Sequence, residues 1–188
     1  LLNLAADAVA LVSALGKRSV AALVGHDFGS PVAAWAALTR PDVFPAVALM
    51  SSPFAGPPAW QAPAATSSNI HDDMAALSQP RKHYQWYYSE RRADADMHKC
   101  PQGLHAFLRA YYHVKSADWA DNRPFKLSGW TAPELAKLPT YYIMDLNQDM
   151  SATVAPHMPS PEQVAACGWL TDAELAVYAS EFGRTGFL

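Results

Sequence analysis

Asp27 stands at the centre of Gly25-His26-Asp27-Phe28-Gly29, at a point where an apolar run, Val20 to Val24, gives way to a helical pattern, Val32 to Leu38. A glycine two places before and two places after the central residue is the spacing of a nucleophile elbow. At such a turn the side chain between strand and helix is pushed into the open, and glycine removes the Cβ atoms that would clash where the helix start packs back on the strand. The usual occupant is serine, whose attack on a carbonyl gives an ester that water can cleave. A carboxylate is suited to saturated carbon instead. It displaces a leaving group there and becomes an alkyl ester, which activated water opens at its carbonyl. Aspartate at this position therefore points to epoxides or alkyl halides. The competing role for Asp27 is an N-cap on the helix that follows.

The elements needed to hold this residue are legible around it. Residues 1–15 read as an amphipathic helix with Leu4, Val9, Val12 and Leu15 among its apolar positions and Gly16 past its end. Residues 19–24 and 46–50 read as short apolar strands suited to a sheet covered on both faces. Between them the helix through Trp35 stops before Pro41. Helix, strand, helix, strand is the α/β pattern of a parallel sheet, with Asp27 at the carboxyl end of a strand. Beyond Phe54, a Pro- and Ala-rich link (Gly56-Pro57-Pro58 and Ala62 to Ser68) leads into a region that reads as helical, without strand alternation. Pro101 to Lys115 carries Leu104, Phe107, Leu108 and Tyr111 on one face. Ser160-Pro161-Glu162-Gln163 and Thr171-Asp172-Ala173-Glu174 are capping boxes, the second opening a helix toward Phe182 that ends near Gly183. The expected division is 1–55 for a partial α/β core with the elbow and 56–188 for a mostly helical lid.

Composition excludes several classes. The chain has 188 residues, 51% hydrophobic and 16% charged, which is globular rather than disordered. A net charge of −3 without basic clusters argues against nucleic acid. No apolar run approaches the ~20 residues of a membrane span. Cys100 and Cys167 form no paired motif and read as free thiols of a reducing, cytoplasmic compartment. Asp96-Met97-His98-Lys99-Cys100 reads as a polar loop; neither a metal nor a cofactor is expected. Leu1 opens the chain without Met and inside a helical pattern, and Leu188 follows directly on Gly186-Phe187, so a fragment is expected.

Three stretches together resemble the epoxide hydrolases of the α/β-hydrolase superfamily: the elbow, His83-Tyr84-Gln85-Trp86-Tyr87-Tyr88, and Tyr178 through Gly186-Phe187. The resemblance implies Asp27 as nucleophile and Tyr84 and Tyr178 as acids on the oxygen side. Opening an epoxide leaves an alkoxide, and two phenols with pKa near ~10 stay neutral at pH 7 and can donate to it. It also implies Phe28, Gln85, Trp86 and Phe54, with Pro53, as cleft wall, and the Phe28 N–H as half of an oxyanion hole. Substrates would be an epoxide and water. Tyr87, Tyr88, Tyr111, Tyr112 and His26 read as structural. The histidine base and its acid partner match no residue after the elbow, so this chain alone is expected to be inactive. The alternatives are a haloalkane or haloacetate dehalogenase, built on the same aspartate elbow, and a non-catalytic relative that keeps lid and pocket. Oligomeric state is not legible.

Overall fold

The computed structural model describes residues 1–54, 56–57 and 69–187. The chain divides into two compact units, Leu1–Ala64 and Ala65–Leu188. Past Pro57, the Pro- and Ala-rich link lies outside the described residues.

The first unit runs α1 (Leu2–Ala14), β1 (Leu23–His26), α2 (Gly29–Thr39) and β2 (Val47–Met50). The strands are parallel, with Leu23 opposite Val47 and His26 opposite Met50. Strand β1 starts later than the apolar run suggests. Val20 donates to Val43 O, but Pro45 has no N–H to give, and the ladder begins only once β2 has passed it. Helix α2 starts earlier than expected because Pro31 falls in its first turn, where a missing N–H costs nothing. Ala5, Val12, Ala36, Val43 and Phe44 form the core of this unit.

Both strands, though suited to a covered sheet, are open within this chain. All four residues of β2 are exposed, and Val24 of β1 is 60% exposed. Leu4 and Leu15 of α1 are likewise open. Apolar composition reports a surface able to be covered; it does not say what covers it.

The second unit contains α3 (Ile70–Ala75), β3 (Arg81–His83), α4 (Tyr84–Tyr88), α5 (Arg92–His98), α6 (Leu104–Val114), α7 (Ala132–Leu135), β4 (Ile143–Asp145), α8 (Met150–Val154), a 3₁₀ turn (Ala155–His157), α9 (Pro161–Ala166) and α10 (Asp172–Thr185). Strands β3 and β4 pair antiparallel, a ribbon that the sequence does not announce. Both capping boxes form: Ser160 and Gln163 bond reciprocally, as do Thr171 and Glu174. Helix α10 outruns Gly183 and stops at Gly186, whose φ of 72° suits glycine. A Cβ there would lie 2.6 Å from Asp94 Oδ1, the same oxygen that accepts from Phe187 N–H at 2.7 Å. Asp96 to His98 belongs to α5 rather than to a loop, since Ala93 and Met97, four apart, both enter the core. The main core gathers Tyr87, Phe107, Leu108, Met144, Met150 and Leu175.

Candidate active site

Asp27 follows the last residue of β1 with φ of 52°, in the left-handed region that a side chain with a Cβ seldom adopts. Its N–H donates to Met50 O at 3.0 Å and its carbonyl accepts from Ser30 N–H at 3.0 Å, which fixes the bend from both directions. Gly25 is the residue the turn demands. A Cβ on it would meet Gly29 O at 2.2 Å, closer than any side chain tolerates. Gly29 is different: a Cβ there meets nothing within 4 Å. Its part in the turn is its backbone, which passes over Gly25, and not the absence of its own Cβ.

Ser30 completes the elbow and was not legible as part of it. Its fully buried hydroxyl lies 2.9 Å from Gly25 O and 2.8 Å from Met50 O, tying the helix start to the ends of both strands. The N-cap role for Asp27 does not materialise. The cap position of α2 is Phe28, with no side-chain cap, and the Asp27 carboxylate is exposed and accepts no hydrogen bond among the described residues. The side chain is thus held out by strain and left for something else. Phe28 is 61% exposed, and its N–H has no partner among the described residues. His26 is exposed on the strand. Phe54 packs edge-on against Trp35 of α2 at 5.7 Å.

In the second unit, Tyr84 opens α4, and its N–H donates to Tyr142 O at 2.8 Å. His83 caps that helix, its Nδ1 accepting from Gln85 N–H at 3.3 Å. Gln85 Nε2 reaches the Tyr84 hydroxyl at 3.4 Å. Trp86 is half-exposed and packs at a tilt of 36° against the His71 ring, 4.3 Å away. Tyr178 lies on α10, half-exposed, with its ring 5.6 Å from that of Tyr112. Tyr84 and Tyr178 therefore belong to one aromatic assembly, joined through Tyr88, Tyr111 and Tyr112. A cavity of about 280 Å³ opens among Tyr88, Phe107, Tyr111, Tyr112, Phe182 and Phe187. Burial pushes the Tyr88 and Tyr112 phenols up, so both stay neutral well past pH 7.

Two positioning residues escape sequence reasoning. Lys115 sets its ammonium over the rings of Tyr111, Tyr141, Tyr142 and Tyr84 at 4.8, 5.1, 5.2 and 6.0 Å. Arg109, buried on α6, donates to Leu170 O at 2.8 Å and to Asp172 at 2.7 Å, anchoring the start of the helix that carries Tyr178. Its position four before His113 gives no hint of this.

A strand–elbow–helix unit with a parallel sheet, joined to a mostly helical unit, defines a fold class that comparison confirms. The α/β-hydrolase fold family matches residues 1–154, and the chain belongs to that family. In structure it is similar to an epoxide hydrolase from an endophytic Streptomyces, with 31% identity and a TM-score of 0.61 over 97% of this chain and 46% of that one. It is also similar to epoxide hydrolase A from Mycobacterium thermoresistibile, with 26% identity and a TM-score of 0.56 over 97% of this chain and 47% of that one. The chain spans about half the length of these solved structures. No curated protein matches it. Among the described residues, no helix is long and apolar enough to cross a membrane.

Proposed function

We propose that this chain carries the nucleophile and the proton-donating part of an epoxide hydrolase, the first unit as partial core and the second as lid. The observation that carries the reading is the exposed Asp27 carboxylate held at a positive φ in a turn that only glycine at position 25 permits. An Asp27 oxygen bonds to one epoxide carbon while the carbon–oxygen bond of the ring breaks. The departing oxygen takes a proton from Tyr84 or Tyr178, and the product is a hydroxyalkyl ester of Asp27. Water then loses one proton as it adds to the ester carbonyl, the Phe28 N–H donates to the oxyanion, the acyl–oxygen bond breaks to restore the Asp27 carboxylate, the released proton restores the phenol, and the vicinal diol leaves. Phe28 and Phe54 supply apolar wall in the first unit, Gln85 and Trp86 in the second.

The second step needs a base. The six histidines after the elbow, from His71 to His157, all belong to the second unit, and none matches the family's base. The ester therefore accumulates when this chain acts alone. Incubation with styrene oxide and, separately, with phenethyl bromide tests the assignment. An adduct from the epoxide at the higher rate, slowed when Tyr84 and Tyr178 are changed to Phe, supports it. Faster reaction with the bromide, indifferent to both tyrosines, would instead support dehalogenation.

A further inference from the structure

Four tyrosine rings converge on one lysine. Lys115, the first residue past α6, holds its ammonium 4.8 Å from the centre of the Tyr111 ring, 5.1 Å from Tyr141, 5.2 Å from Tyr142 and 6.0 Å from Tyr84. The rings come from α6, from the residues leading into β4 and from α4, so the packing of three segments sets the position. The side chain is exposed, and among the described residues its ammonium makes no ion pair. A surface lysine ordinarily extends its charge into water; here the ring quadrupoles hold it.

We propose that Lys115 is a positioning residue for proton donation, an assignment that rests on the epoxide-opening reading above. Its charge stabilises the Tyr84 phenolate and makes Tyr84, rather than Tyr178, the phenol that gives up its proton. When the epoxide carbon–oxygen bond breaks, the departing oxygen takes the Tyr84 proton. The electron pair of that O–H bond stays on Tyr84 as a phenolate. The negative charge spreads into the ring, so attraction to the ammonium grows as the proton leaves. Gln85 acts in the same direction. Its Nε2 reaches the Tyr84 oxygen at 3.4 Å, and a donor binds a phenolate more strongly than a phenol.

Tyr111, Tyr141 and Tyr142 keep their protons throughout and only hold the ammonium in place. Tyr178 lacks such support. Its ring meets that of Tyr112 at 5.6 Å, and among the described residues no lysine or arginine lies over it. Tyr178 then only hydrogen-bonds the epoxide oxygen, and the proton that water later releases returns to Tyr84.

The rate of ester formation on Asp27 with styrene oxide, followed by intact mass in the 188-residue chain, tests this role. Lys115→Met keeps an apolar stem against the rings and removes the charge. It is expected to slow the reaction about two- to fivefold, the range that an exposed and screened charge allows. Lys115→Arg is expected to keep the rate. In a Tyr84→Phe chain, Lys115→Met changes nothing further; in a Tyr178→Phe chain it slows the reaction as it does in the unaltered one. A merely structural lysine would slow both. If Lys115→Met does not fold, Lys115→Gln replaces it in every comparison. An unchanged rate, a loss that arginine does not restore, or equal slowing in both tyrosine backgrounds overturns the role of Lys115 and leaves attack by Asp27 standing. No ester in the unaltered chain overturns the epoxide-opening reading and this assignment with it.

Discussion

The Tyr88 hydroxyl donates to the Tyr111 hydroxyl across 3.0 Å, bridging α4 to α6. That bond closes an unbroken series of aromatic contacts. Tyr84 meets Tyr88 at 5.6 Å, Tyr111 meets Tyr112 at 5.9 Å, and Tyr112 meets Tyr178 at 5.6 Å. The two proposed proton donors are therefore positioned by the same packed rings, so the cluster sets their separation as well as the stability of the second unit.

Changing Tyr88 or Tyr111 to Phe removes one hydroxyl and strands the other. Each single variant is expected to lose about 1–2 kcal/mol of stability, and the double variant less than the sum. Urea denaturation of the three variants measures the coupling. Strict additivity would show that the bond contributes nothing.

The glycines of the elbow separate cleanly. Gly25→Ala drives a Cβ to 2.2 Å from Gly29 O, a backbone atom that cannot swing aside. The cost is expected at the upper end of the ~1–3 kcal/mol of overpacking, or beyond it. Gly29→Ala meets open space and is expected to change stability by under about 1 kcal/mol. Equal losses at the two positions in thermal unfolding would contradict the turn geometry.

His83 makes stability depend on pH. Burial, with His71 nearby, holds its folded pKa below the ordinary 6.5. The unfolded chain then binds the proton more readily, so the contribution is whole above about pH 6.5 and declines as pH falls toward the folded value. Protonation also ends the acceptance by Nδ1 from Gln85 N–H. His83→Asn keeps a cap acceptor and removes the titration. Its stability between pH 5 and pH 7.5 is expected to slope less than that of the unaltered chain. Some slope remains, because burial lowers His113 in the same direction. An unchanged slope would remove His83 from the account.

What the sequence made legible was local. The elbow shows itself through Gly25 because a single backbone approach forbids a Cβ there, and the capping boxes show themselves because serine or threonine and its partner lie three residues apart. Gly29 fits the same pattern with no steric reason of its own. The ribbon of β3 and β4 stayed hidden because three residues each, Arg-Lys-His on one side, offer no apolar alternation. Ser30, Arg109 and Lys115 stayed hidden for another reason. Each is a polar residue whose role depends on what lies across the fold, Met50, Leu170 and Tyr84 respectively. Strand exposure is illegible for the same cause, since Val47 and Leu49 are apolar whether or not anything covers them.

Peptide mapping of the chain after exposure to excess styrene oxide tests the central claim most directly. One epoxide mass should appear on the peptide containing Asp27, be released by mild alkali as expected of an ester, and vanish in Asp27→Ala. An adduct on any other residue, or one that survives that substitution, would contradict attack by Asp27.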